Sequence, residues 1–418
     1  MKITNKTCSR DSVFRTITSL LLQGCLPALL ALASSGVMAK GPGLSPQTYN
    51  RLTSINQQIE QERYVQAVTA LRELLPLVEA RRYDKAVVMQ TLGHVQASRG
   101  RYRDAMNAYQ DSLSLDALPE PAQQQMRYNL AQIYLMNELP QKAVKVLQAW
   151  FDGEDEPGAD AYALLGNAYG LIKQYRKAVP AFQKAIKLSS RPREPWYQSL
   201  LAMHYELGSY TECANLLERM IRLFPNDPEY WKQLASVYMQ LNKHPRALTV
   251  LELAYLRGMV RKEQELVRLA QLYLYQEMPI KAARILAAEM DSGRVRRNGA
   301  NQQLLASAWA ESRERVRAIE AYQLAAKLAD KPEIGEHLAW LYLEDGRWRD
   351  AAGVLESSLS SGEVKDTGNT WLMLGIARYE SGLHAEARTA FEQAATFEST
   401  REPADQWLAH LASVDQES

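Results

Sequence analysis

One residue column constrains this chain more tightly than its length does. Ala67, Ala105, Ala143, Ala178, Cys213, Ala247, Ala282, Ala318, Ala351 and Ala387 recur at nearly even spacing. Four residues after each stands a large apolar side chain: Leu71, Tyr109, Leu147, Phe182, Leu217, Leu251, Leu286, Tyr322, Leu355 and Phe391. A separation of four puts both on one helix face. A second column, Leu92, Leu130, Leu165, Leu200, Leu234, Leu269, Leu305, Leu338 and Leu374, is mostly followed by a small residue such as Gly93, Ala131, Gly166 or Gly375. Ten units follow, beginning near Asn50, Ala86, Gln124, Ala159, Glu194, Pro228, Glu263, Gly299, Pro332 and Gly368, and after the first they recur every 33 to 38 residues. Two antiparallel helices approach closely only where one side chain is small, and the Leu or aromatic beside that contact fills the remaining space. Each unit therefore reads as a helix, a short polar turn and a second helix.

The unit from Ala159 to Leu188 reads Tyr162, Leu165-Gly166, Tyr169, Tyr175, Ala178, Phe182, Ala185, and the last reads Trp371, Leu374-Gly375, Ala387, Phe391, Ala394. This pattern resembles the tetratricopeptide repeat. The resemblance implies an all-α superhelical solenoid of about ten helix-turn-helix units over residues 40–404, one elongated domain whose first helices line a concave surface. Pro192, Pro225, Pro228, Pro332 and Pro403 fall between units, where a helix breaker is tolerated. Ser54 and Ile55 replace the Leu-small pair in the first unit, as an end repeat allows. Residues 405–418, with Trp407 and Leu408, read as a capping helix and tail at the other end. The acidic stretch from Asp152 to Gly158 reads as an exposed connector.

Residues 1–39 read as an address. Lys2, Lys6, Arg10 and Arg15 precede an apolar stretch from Ile17 to Leu32, and Val37-Met38-Ala39 supplies small residues for signal peptidase. The competing reading takes Leu22-Gln23-Gly24-Cys25 as a lipoprotein box with Cys25 acylated, although Gln23 fits it poorly. Cleavage after Ala39 and residence in the periplasm is the expectation; a lipid on Cys25 is the alternative. These residues carry four of the 49 basic and one of the 48 acidic side chains, which leaves the remainder formally −2. That balance argues against nucleic-acid binding, which needs a basic excess. Cys8 and Cys25 go with the address, so Cys213 is the one thiol left and no internal disulfide can form.

The sequence shows no catalytic constellation, no cofactor motif and no metal-ligand spacing. His94, His204, His244, His337, His384 and His410 fall in separate units or the tail, and none pairs at the i, i+4 spacing of a metal site. His244 and His384 stand at the turn position held by Tyr64, Tyr102, Tyr175 and Tyr210 elsewhere. Cys213 replaces Ala in the small column and reads as core. Arg294, Arg296, Arg297, Arg313, Arg315 and Arg317 form a basic cluster, read first as solvated and otherwise as a site for an acidic partner or anionic lipid.

On the first helices, the Leu column projects a candidate partner groove. Its members are Tyr128, Gln132, Asn167, Gln198, Tyr205, Ser236, Gln271, Trp340 and Tyr379, together with Lys232, Tyr275, Gln303, Ser307 and Glu336. Gln, Asn and Ser can bond an extended backbone, while Tyr and Trp give rigid apolar contact. The family variant that grips a C-terminal carboxylate pairs Lys with Asn; here Ala163 precedes Asn167 by one turn, so that grip is not supported. The overall plan also resembles the secreted tetratricopeptide proteins of marine gamma-proteobacteria associated with TonB–ExbB–ExbD systems. That resemblance implies a non-enzymatic periplasmic scaffold accessory to TonB-dependent transport, with protein or peptide segments of the envelope, TonB, ExbB or ExbD among them, as partners. The alternative is a scaffold for outer-membrane or exopolysaccharide assembly and secretion.

Overall fold

The computed structural model describes residues 43–329, 332–362 and 364–417, so the address segment, with Cys25 and Ala39, lies outside it. Among the described residues the fold is all-α: twenty-one α-helices and one 3-10 turn. They pack into two compact units. The first, ending at Asn226, holds five antiparallel pairs. These are α1 (Pro46–Glu60) with α2 (Tyr64–Leu74), which runs into the 3-10 turn Leu75–Val78, then α3 (Arg82–Ser98) with α4 (Tyr102–Ser114), α5 (Glu120–Met136) with α6 (Pro140–Asp152), α7 (Ala159–Leu171) with α8 (Tyr175–Leu188), and α9 (Glu194–Glu206) with α10 (Tyr210–Leu223). The second unit, from Asp227, holds five more. They are α11 (Pro228–Gln240) with α12 (His244–Leu256), α13 (Glu263–Tyr275) with α14 (Pro279–Asp291), α15 (Gly299–Glu311) with α16 (Arg315–Leu328), α17 (Pro332–Glu344) with α18 (Trp348–Ser361), and α19 (Thr367–Glu380) with α20 (His384–Ala395); α21 (Arg401–Glu417) follows. No described helix is long and apolar enough to cross a membrane.

The columns explain the pairing. Every member of the small column, Cys213 included, is fully buried, and no member of the column four residues on is more than 4% exposed. The facing residue on the first helix is matched in size. A Cβ on Gly166 would sit 2.9 Å from the Phe182 ring, and one on Gly93 would sit 2.5 Å from Tyr109; Gly375 meets Phe391 in the same way. Where the second helix supplies Leu147, Leu251, Leu286 or Leu355, the first supplies Ala131, Ala235, Ala270 or Ala339, all buried.

A second periodic device closes each pair. The residue between the helices has a left-handed backbone in all ten: Glu62, Gly100, Glu138, Lys173, Gly208, Asn242, Glu277, Arg313, Gly346 and Gly382. The next amide then bonds back to a carbonyl five residues earlier, as from Gln174 to Tyr169 (2.9 Å) and from Met278 to Tyr273 (2.8 Å). This is the helix stop in which a left-handed residue lets orphan carbonyls find donors.

Within each unit the first helices form one layer and the second helices another. In the second-helix layer of unit two, the Tyr255 hydroxyl on α12 donates to Glu289 on α14 at 2.6 Å. In the first-helix layer of unit one, Ser45 and Thr48 at the start of α1 donate to buried Asp84 on α3, each at 2.7 Å. α1, α3 and α5 start four residues ahead of the repeat pattern. The added turns do this polar docking: on α5, Gln123 donates to the Leu118 carbonyl at 2.9 Å. At the other end α21 begins at Arg401 and lays Trp407 flat on Phe391, with ring centroids 5.4 Å apart and planes 6° apart, while Leu411 is fully buried.

Candidate binding face of the first helices

In unit one the projected face is largely occupied by internal contacts. Tyr128 leans on Trp150 at 5.2 Å, and the ring chain continues through Phe151 to Tyr162. Tyr205 meets Tyr210 edge-on at 6.0 Å. Gln132 and Gln198 are half-buried. Asn167 departs from the open-face expectation, being 6% exposed with its Oδ1 lacking a donor. The neighbouring Gly166 and Ala168 are also buried, so the short Asn side chain is enclosed where its helix packs closest.

Unit two keeps more of the face open. Ser236 and Gln271 are exposed, Tyr275 is 64% exposed and Trp340 is 51% exposed. Gln303 is half-buried. Other projected residues are committed inside the fold. Lys232 pairs with Glu229 on its own helix and with Glu265 on α13 at 3.2 Å. Ser307 meets the Tyr322 hydroxyl at 3.0 Å. Tyr379 is also taken up within the fold rather than left open: its hydroxyl meets His410 at 2.8 Å and its ring packs on Trp407, because α21 lies against α19 there.

The basic cluster is committed as well. Arg294 pairs with buried Glu289 at 2.6 Å, Arg296 with Glu263 at 2.7 Å, and Arg297 with Asp291. Arg315 lies 3.6 Å from Asp345, and Arg317 stacks 4.7 Å over Trp309. Hydrogen bonds from Arg296 and Asn301 hold the Glu263 carboxyl below its ordinary range. Four of the six arginines thus have acids of the chain beside them.

Two further features emerge only from the packing. An aromatic on the first helix is repeatedly covered by a cation from the second: Lys142 over Tyr134, Lys177 over Tyr169, Arg246 over Tyr238, Lys281 over Tyr273, Arg317 over Trp309. In the fifth pair both partners change, to buried His204 and Glu212; burial pushes the imidazole below its usual range and Glu212 opposes the shift. Glu336, one turn before Trp340, has a buried Oε1 without any hydrogen-bond partner. Burial pushes its carboxyl up; His337 and Lys365 oppose, and Glu333 and Asp366 reinforce. Among the described residues no three His, Cys, Asp or Glu side chains gather closely enough to hold a metal ion.

Models of the tetratricopeptide repeat match residues 91–159, 159–191, 193–237 and 337–403, together half the chain. The chain belongs to the tetratricopeptide repeat family. Its curated relatives include human protein O-mannosyl-transferase TMTC1, 24% identical over 41% of this chain and 19% of that protein. Heat shock protein STI1 of Saccharomyces cerevisiae is 28% identical over 20% of this chain and 14% of that one. The tetratricopeptide chain thus spans less than a fifth of either relative. Among solved structures, a tetratricopeptide repeat protein from Parabacteroides merdae is 15% identical, covering 71% of this chain and 99% of that one at a TM-score of 0.37. YrrB, titled as a tetratricopeptide protein with an unusual peptide-binding site, is 16% identical over 42% and 88% of the two chains, with a TM-score of 0.35.

Proposed function

We propose that this protein is a non-enzymatic scaffold of the cell envelope that holds segments of other proteins against its first helices. The observation that carries the reading is the open stretch of that face in unit two. Trp340 is 51% exposed there, and Tyr275, 64% exposed with its ring meeting His244 edge-on at 4.7 Å, stands one turn after exposed Gln271; Ser236 is exposed as well. Aromatic rings of this kind give rigid contact area at low entropic cost, and small polar groups beside them can bond a peptide backbone. Side chains with such properties serve binding. The export-type sequence of residues 1–39 supports a periplasmic location, and its combination with repeats supports a role in TonB-dependent transport. The Leu22–Cys25 box supports a second reading, an outer-membrane or exopolysaccharide assembly scaffold.

Affinity capture of the tagged, exported chain from crosslinked envelopes, read by mass spectrometry, separates the two. Enrichment of TonB, ExbB or ExbD over matched controls supports the transport reading. Recovery of barrel-assembly or polysaccharide-export proteins supports the second. If the chain captures no protein above controls, the scaffold proposal fails.

A further inference from the structure

Trp340 is the exposed tryptophan of the described residues, and its ring has neither an aromatic nor a cationic partner among them. Three other indoles on first helices are covered by a cation: Arg193 lies 4.5 Å over Trp196, Arg257 lies 4.8 Å over Trp231 and Arg317 lies 4.7 Å over Trp309. One turn before Trp340 on α17 stands Glu336, whose Oε1 is buried with no donor. Residues four apart on a helix have Cβ atoms about 5–6 Å apart. Glu336 and the exposed Trp340 indole therefore share one face of α17.

The nearby cations among the described residues are engaged elsewhere. Lys365 pairs with Glu333, Arg347 with Asp350 at 2.6 Å, and Arg315 lies against Glu344 and Asp345. His337, next to Glu336, stacks on Tyr322 at 5.7 Å. The group that complements both features is planar, cationic and rich in N–H donors. Its flat face would lie on the indole and its edge would donate to the carboxylate. A guanidinium has that shape; an ammonium has the charge without the plane.

Building on the scaffold reading, we propose that Glu336 and Trp340 form a subsite for an arginine side chain of the bound protein segment. Glu336 Oε1 is buried without a donor, which is costly to keep; when the carboxyl turns outward to meet the incoming guanidinium, it gains the donor it lacks inside. The chain's own Arg–Trp pairs show the same stacking already satisfied from within.

The test is a titration of the full chain with acetyl-Ser-Gly-Arg-Gly-Ser-amide, following tryptophan indole N–H resonances by NMR, with the Trp340 signal assigned from Trp340→Phe. The expected result is a saturable shift of the Trp340 resonance, with Trp309 and Trp231 unmoved. The peptide with citrulline in place of arginine should bind about tenfold more weakly, as should the Glu336→Gln chain with the arginine peptide. The lysine peptide should fall between the arginine and citrulline peptides. Equal binding of the citrulline peptide, an unaltered titration by Glu336→Gln, or no Trp340 shift at millimolar arginine peptide overturns the subsite. Equal binding of the lysine peptide overturns its preference for a planar cation. Thermal melts of both variants, followed by circular dichroism, check that they are folded. The same variants in envelope capture separate the two claims. Unchanged capture with a failed titration rejects the subsite and leaves the scaffold; no capture by the unaltered chain rejects the scaffold.

Discussion

Side-chain volume sets how close two helices come, and here single residues are tuned against each other across each pair. Gly166 faces Phe182 so closely that a Cβ would stand 2.9 Å from the ring. Gly166→Ala should therefore cost about 1–3 kcal/mol, the usual price of overpacking. Phe182→Leu alone should also destabilise, whereas the double substitution recreates the Ala–Leu match of the third, sixth, seventh and ninth pairs. Chemical denaturation of the two singles and the double should give a coupling that recovers much of the loss; additive losses would show that the match is incidental. Glu336 supplies a second case, in which a binding group opposes stability. Its raised carboxyl pKa means that the folded state favours the protonated form. That contribution is fully present below the ordinary value of 4.5 and is lost as pH rises through the higher native value. Glu336→Gln should thus raise the melting temperature at pH 7 while weakening arginine-peptide binding, and the difference should vanish near pH 4. A lower melting temperature at pH 7 would contradict the burial argument.

At the scale of the helix pair, the packing columns were readable because hydrophobic periodicity states which face is covered. The turns were less readable. Gly100, Gly208, Gly346, Gly382 and Asn242 mark the left-handed position, but Glu62, Glu138, Lys173, Glu277 and Arg313 hold the same slot with side chains that disfavour it. A left-handed backbone costs a non-glycine residue about 1–2 kcal/mol. Glu277→Gly or Lys173→Gly should consequently stabilise by about 0.5–1 kcal/mol after the added freedom of the unfolded chain is counted. Guanidinium denaturation can read this, and an equal loss would mean that the carboxylate or ammonium makes a compensating contact. The candidate face was legible only as a set of helix positions. Nothing in local sequence says that α21 folds over Tyr379, or that Asn167 is enclosed while Trp340 is left open. Those outcomes depend on contacts between elements, which a helical period does not encode. The same limit hid the basic cluster's partners, since Glu263 lies 33 residues from Arg296 and meets it only when adjacent pairs stack.

For the whole molecule, stacking of this kind makes stability a sum of pair and neighbour terms rather than one central core. Within each unit the described contacts join each helix chiefly to the elements next to it in the chain, with a few to the helix one pair away. The apolar side chains around Phe182 reach from the second pair to the fifth, all within unit one. Phe182→Ala should remove about 3–5 kcal/mol locally, and α17–α20 lie outside the apolar cluster around Phe182. Hydrogen exchange should therefore show amides of α7, α8 and α9 losing most protection, with a smaller loss in α5, α6 and α10, and amides of α17, α18, α19 and α20 unchanged. A two-state analysis of the full chain would then misreport the loss, because part of the array opens while the rest stays folded. An equal fall of protection in α17–α20 would show that the chain unfolds as one cooperative body, and the neighbour-sum description would have to be abandoned. The graded pattern would also bear on binding: the Glu336–Trp340 face would keep its geometry in a chain whose first unit had been loosened, so arginine-peptide affinity should be the same for Phe182→Ala as for the unaltered protein.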